Sequence, residues 1–279
     1  MKFIDLFAGI GGFHLVFKRL GFKCVFACEK DKYARKTYIA NHSDLKYSFA
    51  NDINTINISE IPDFDLLCVG FPCQSFSIIG NNKGFNCDKN GNLFYKIVEI
   101  LKEKEPKGFF LENVRGLLTH DRGNTFKIIE KTIKDLGYSF YWKIMKASDY
   151  GLPQFRPRIY MVGFKDTSLK FEFSKPISLN FTMSDVLVGK CDKEIGYTIR
   201  VGGRNGTIGD CHNWDTYVVE GKKKRLTLDN MKKMMGFPEN FVFPVSRTQA
   251  MKQLGNSVAI DVVMAIGKNI METLSSCNK

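Results

Sequence analysis

The sequence predicts an α/β protein built on a doubly wound, mostly parallel sheet, with a small and irregular second domain. Short apolar runs of strand length recur between amphipathic helical stretches, and the first of them passes through a glycine-rich turn directly into a helix. From 165 to 223 this periodicity fades, while glycine and polar residues rise and Pro176, Gly202, Gly203, Gly206 and Gly209 interrupt any helix. The expected division is therefore a first domain over 1–164, a second over 165–223, and a return segment over 224–279 that completes the first. A chain of 279 residues with 44% hydrophobic content can bury cores for both.

Phe3 to Phe7 reads as the first strand, and Phe13 to Leu20 has helical spacing. Between them, Gly9, Gly11 and Gly12 let a ligand approach the backbone, and the helix start offers unpaired N–H groups. Lys23 to Cys28 is a second strand. It ends at Glu29, about 20 residues beyond Gly9, where a carboxylate can accept both hydroxyls of an adenosine ribose. A third strand, around Tyr47 to Ala50, leads into Asp52 and Ile53, an acid and an apolar residue suited to an adenine edge and face. The glycine turn has no lysine and no Walker spacing, so it is not a phosphate loop.

Asp65 to Val69 is the next buried strand, and Gly70 and Pro72 end it. Cys73 follows at the carboxyl edge, where sheets of this class place reacting groups. Taken alone it is a nucleophile or a packed thiol. Residues 78–92 form a polar loop of lid length, and Leu93, Phe94, Ile97, Val98, Ile100 and Leu101 mark one face of the helix after it. Gly108 to Leu111 is a strand delivering Glu112, a carboxyl group able to act as a general acid. An amphipathic helix near Thr125 to Leu136 precedes strands over Ser139 to Met145 and Arg158 to Phe164. Arg156 and Arg158, alternating on an extended segment, project to one side, where they orient a base carbonyl or a phosphate, or pair with surface acids. Gln253 to Val258 opens a C-terminal helix with apolar residues at 258, 262, 266 and 270.

Phe71-Pro72-Cys73-Gln74-Ser75-Phe76-Ser77 resembles the nucleophile block of the DNA cytosine-5 methyltransferases, in the style of the bacterial restriction-modification enzymes. Further blocks of that family occur in family order: the glycine turn, Glu112-Asn113-Val114, Gln154-Phe155-Arg156-Pro157-Arg158, and Gln253 to Val258. The resemblance implies a Rossmann-like methyltransferase fold, S-adenosyl-L-methionine as methyl donor with S-adenosyl-L-homocysteine as product, no metal, and double-stranded DNA as substrate. It implies catalytic roles for Cys73, Glu112, Arg156 and Arg158. Cofactor contacts are implied at Phe7, Gly9, Ile10, Gly12, Glu29, Asp52, Ile53, Pro72, Leu93, Asn256 and Ser257. It places target recognition in 165–223, with DNA contacts from Gln74, Ser77, Arg200, Arg204, Asn205 and Asn213; arginine suits guanine and asparagine suits adenine. His212 reads as a loop hydrogen-bonding residue and Trp214 as core. The family also has a tRNA-methylating branch, whose nucleophile block has Pro-Pro-Cys where this chain has Phe71-Pro72-Cys73, and a catalytically silent DNA-binding relative is the other alternative.

The formal charge of +12 suits a polyanionic partner, although a basic surface also serves solubility. Lys222 to Arg225 is a basic run of the same double meaning. The eight cysteines show no paired spacing and read as reduced thiols. No apolar run has membrane length and the N-terminus enters a strand at once, so a cytoplasmic protein is expected; the family resemblance implies a monomer with a restriction endonuclease as functional partner.

Overall fold

The computed structural model describes residues 1–42, 49–72, 93–202, 208–210 and 213–276. In chain order the elements are β1 (Lys2–Leu6), α1 (Gly12–Arg19), β2 (Lys23–Cys28), α2 (Lys32–Asn41), β3 (Phe49–Ala50), β4 (Leu66–Gly70), α3 (Leu93–Lys104), β5 (Gly108–Val114), α4 (Asn124–Asp135), β6 (Tyr141–Lys146) and β7 (Pro157–Phe164). There follow α5 (Met183–Leu187), β8 (Thr216–Val219), β9 (Lys222–Arg225), α6 (Leu228–Met235), α7 (Arg247–Asn256) and α8 (Ile260–Ser276).

Seven strands form one sheet in the order β3-β2-β1-β4-β5-β7-β6. From β3 to β5 the neighbours are parallel, while β7 runs antiparallel to both β5 and β6. The chain winds outward from β1 through β2 to β3, then returns to β4 on the other side of β1. This reversal opens a crevice past the carboxyl ends of β1 and β4, the position at which doubly wound sheets bind ligands.

Alternation along the strands divides the core into two layers. Phe3 and Phe110 point into a layer shared with Phe13 and Phe17 of α1 and Val263 and Ile266 of α8. Ile4 and Phe109 point the other way, toward Phe94 and Ile97 of α3 and Ile129 of α4. Both faces are therefore covered, which accounts for the near-continuous apolar runs of β4 and β5. The first layer carries on into Met183, Trp214, Tyr217 and the three methionines of α6, Met231, Met234 and Met235. Trp214 is core, 1% exposed, as its sequence context predicts.

Most boundaries fall within a residue of those the sequence predicts, and the larger differences have physical reasons. The third strand contains Phe49 and Ala50 only, Tyr47 and Ser48 lying outside the described residues. β5 continues through Val114 because antiparallel β7 supplies partners as far as Arg158, so Glu112 lies within a strand, opposite Tyr160. β6 starts at Tyr141, two residues later than expected, with the Ser139 hydroxyl accepting from Phe164 N–H instead. The Gln253 to Val258 block does not open a helix. It ends α7, Ser257 is its extended C-cap, and α8 begins at Ile260.

Candidate active site

The turn after β1 is shaped by left-handed backbone at Phe7 (φ +53°), Gly9 (φ +56°) and Gly11 (φ +84°). Phe7 adopts this conformation at a cost that only glycine avoids. A Cβ at Gly9 would meet nothing within 4 Å, so the backbone there faces open space. At Gly12 a Cβ would stand 2.5 Å from Val258 Cγ2, and this glycine is what lets α1 start against the α7–α8 junction. Ile10 is buried beneath the turn.

Glu29 closes one side of the crevice. Its Oε2 accepts the Gly9 N–H at 2.8 Å and its Oε1 the Asp31 N–H at 2.7 Å. Burial raises its pKa, and these N–H donors oppose the shift. Asp52 pairs with Lys30 through Nζ–Oδ2 at 2.8 Å, and its Oδ1 accepts the Asn54 N–H at 3.0 Å. The Lys30 contact holds the Asp52 carboxyl below its usual range. Ile53 is buried beside it. Across the crevice Pro72 and Asn256 are exposed, Leu93 is half-buried, and Ser257 is 9% exposed with its Oγ 3.3 Å from the Cβ position of Gly12. An open backbone at Gly9, a flanking carboxylate and an apolar wall suit an adenosine-bearing group. Among the described residues no three His, Cys, Asp or Glu side chains are grouped as a metal ion would need.

The second half of the site stands at the ends of β4, β5 and β7. Gly70 pairs with Glu112 across β4 and β5, and a Cβ at Gly70 would lie 3.7 Å from Glu112 Oε2. The carboxyl group thus lies over the strand end that leads to Pro72. Arg158 Nε approaches Glu112 Oε1 to 3.2 Å, and Arg158 Nη1 donates to the Pro157 carbonyl at 2.8 Å. Burial is the largest influence on Glu112 and raises its pKa; Arg158 and Arg156 pull it back. The result is a buried carboxyl whose protonated form is favoured over that of a solvated glutamate, held beside a cation. Asn113 was not singled out by its sequence, yet its Nδ2 donates to the Phe71 carbonyl at 3.0 Å and so ties β5 to the turn before the cysteine.

Arg156 differs from the expectation in being buried among backbone carbonyls. It is 2% exposed; its Nη1 donates to the Ile199 carbonyl at 3.2 Å, and its Nη2 to those of Gly255 and Ser257 at 2.9 and 2.6 Å. Burial pulls its pKa down to about 9, which leaves it charged at pH 7. Its two Nη groups tie the arginine segment to the backbone at Ile199 and at Gly255 and Ser257. Replacing it by alanine should lower stability by about 3 kcal/mol or more, since three buried carbonyls lose a charged donor. A fall in the urea midpoint checks this, and an unchanged midpoint would contradict it. Gln154 braces the same region, accepting from Ile199 N–H at 2.9 Å and donating to the Met234 carbonyl at 3.1 Å.

Asn213 is likewise turned inward. It is 7% exposed, its Oδ1 accepts the Thr216 N–H at 3.1 Å and its Nδ2 donates to the Thr216 carbonyl at 2.9 Å. Its amide is spent on a local turn, as asparagine side chains often are, and is not displayed to a base edge. Arg200 is exposed. Cys73, Gln74, Ser77, Arg204, Asn205 and His212 lie outside the described residues.

A sequence model for C-5 cytosine-specific DNA methylases matches residues 1–197 and 187–272. The Type II methyltransferase M.HhaI of Haemophilus parahaemolyticus is 38% identical over 99% of this chain and 95% of its own length. M.HaeII of Haemophilus aegyptius, another Type II methyltransferase, is 40% identical over 100% and 95%. Among solved structures, the S. pombe Dnmt2 methyltransferase superposes with a TM-score of 0.80 at 19% identity, covering 100% of both chains. A putative DNA modification methyltransferase of an E. coli prophage gives 0.74 at 20% identity over 99% of each. At such identities these two speak for the fold.

Proposed function

Because the chain belongs to the C-5 cytosine-specific DNA methylases, and so is a DNA cytosine-5-methyltransferase, we propose that it methylates an everted cytosine of a short duplex site through a transient bond to Cys73. The observation that carries this reading is the buried Glu112 carboxyl, held by Arg158 over the strand end that delivers Pro72 and then Cys73. In the proposed sequence the Cys73 thiolate adds to carbon 6 of the pyrimidine. Protonated Glu112 donates at ring nitrogen 3, so that negative charge does not build on the ring. Arg158 orients that carboxyl. S-adenosyl-L-methionine, when bound, supplies an electrophilic methyl group for carbon 5. Loss of the carbon 5 proton to a base and cleavage of the Cys73 bond then restore the ring.

The cofactor is assigned to the crevice lined by Phe7, Gly9, Ile10, Gly12, Glu29, Asp52, Ile53, Pro72, Leu93, Asn256 and Ser257. Glu29→Gln should weaken S-adenosyl-L-homocysteine binding by roughly 10- to 100-fold, the worth of one or two hydrogen bonds to a charged acceptor. Calorimetry measures this, and an unaltered Kd would move the ribose elsewhere. In this reading 165–223 selects the target, Arg200, Arg204, Asn205, Gln74 and Ser77 remain candidate DNA contacts, and the enzyme acts as a cytoplasmic monomer beside a partner endonuclease. No helix among the described residues is long and apolar enough to cross a membrane. Labelled methyl transfer to duplex DNA and to tRNA, compared side by side, tests the substrate: label in DNA is expected, and label in tRNA alone would overturn the choice.

A further inference from the structure

Beside the arginine segment, two exposed aromatic rings stand in register. The isolated parallel bridge between Gln154 and Gly196 turns both of those residues inward: Gln154 is fully buried, and a Cβ at Gly196 would meet Met183, Met234 and Tyr217. Side chains alternate along extended chain, so their successors Phe155 and Tyr197 face outward together, 47% and 39% exposed. The backbone between them is fixed, with Phe155 N–H donating to the Gly196 carbonyl at 2.8 Å and the Thr198 hydroxyl to the Phe155 carbonyl. Each ring has an ammonium group over it. Lys146 Nζ is 5.9 Å from the Phe155 centroid and Lys193 Nζ is 5.1 Å from that of Tyr197. Lys146 also pairs with Asp149 at 3.5 Å. Phe155 is three residues from Arg158, whose side chain holds Glu112.

We propose that Phe155 and Tyr197 form an aromatic strip on which the sugars and bases flanking the target cytosine stack, with Lys146 and Lys193 meeting the phosphates of the same strand. This rests on the DNA methyltransferase reading above. Single-stranded and opened nucleic acid is held elsewhere by this combination of π faces and basic groups, and a chain of net charge +12 is complementary to it. An apolar protein partner would have little use for an ammonium over each ring.

The test is fluorescence anisotropy of the full chain, loaded with S-adenosyl-L-homocysteine, on a duplex carrying the site that bisulfite sequencing maps in expressing cells. Phe155→Ala with Tyr197→Ala should weaken binding by roughly tenfold or more per ring at an unchanged salt slope. Lys146→Ala with Lys193→Ala should lower that slope by about 2. Phe155→Leu with Tyr197→Leu, which keeps apolar bulk and loses the rings, should also bind more weakly. All three should keep the melting temperature and the affinity for S-adenosyl-L-homocysteine, which separates the strip from a folding defect. Variants that bind the duplex as tightly as the unaltered protein would overturn the proposal, as would a change in oligomeric state with DNA affinity untouched. Failure of the unaltered protein to bind or methylate any duplex would instead remove the parent reading.

Discussion

Cys73→Ser should abolish methyl transfer, by at least about 10³-fold, while leaving duplex binding in place. A thiol near pKa 8.5 supplies some thiolate at neutral pH, whereas a serine hydroxyl supplies essentially no alkoxide without a dedicated base. Effects of this size are what removing a nucleophile produces in other enzymes. Single-turnover transfer of labelled methyl groups to DNA is the measurement. Activity within tenfold of the unaltered enzyme would mean that carbon 6 is attacked by another group, or by none.

Glu112→Gln should lower kcat by roughly 10² to 10⁴, the usual span for a lost general acid. The amide keeps the shape and a hydrogen bond to ring nitrogen 3, so KM for DNA should change far less. The pH profile supplies an independent sign. Burial raises the Glu112 pKa above its ordinary 4.5, so the protonated, donating form is lost as pH rises through that raised value. The same shift enters stability. Glu112's contribution is fully present below the ordinary carboxylate pKa and is lost as pH rises through the folded-state value. Glu112→Gln should remove that portion of the pH dependence of unfolding, read by denaturant midpoints across the acid to neutral range. A variant with the unaltered profile would place the essential proton on another group.

The half of the site proposed for the cofactor is legible in the sequence because its signals are local: a strand, glycines with left-handed backbone, a helix start, and an acid at the end of the next strand. The structure brings Gly9 and Glu29 together in a hydrogen bond at 2.8 Å. The acid over the cysteine strand is legible for the same reason, since Glu112 is the parallel-strand partner of Gly70, the last residue of β4. What the sequence hides is long-range. The three carbonyls that consume Arg156 lie 43, 99 and 101 residues away, and nothing in an alternating arginine pair announces them. Antiparallel β7, which extends β5 past Glu112, is equally remote. Asn213 misleads in the opposite sense, because its partner Thr216 is close and the bond is of the kind any turn asparagine makes. At the α7–α8 junction, apolar residues at 258, 262, 266 and 270 keep helical spacing across a break set by the extended Ser257. Asn230 completes a capping box with Thr227 and donates to the Val186 carbonyl at 2.7 Å, binding α6 to α5.

The proposed reaction requires a bond between the Cys73 sulfur and carbon 6 of cytosine, and a duplex with 5-fluorocytosine at the mapped site tests for that bond most directly. Fluorine cannot leave as the proton does, so once methylated the ring cannot release the enzyme. Mass spectrometry should then find the oligonucleotide attached to the peptide containing Cys73, in a complex that survives denaturant and requires S-adenosyl-L-methionine. Recovery of free enzyme after methylation of the fluorinated site, with no adduct on that peptide, would contradict it.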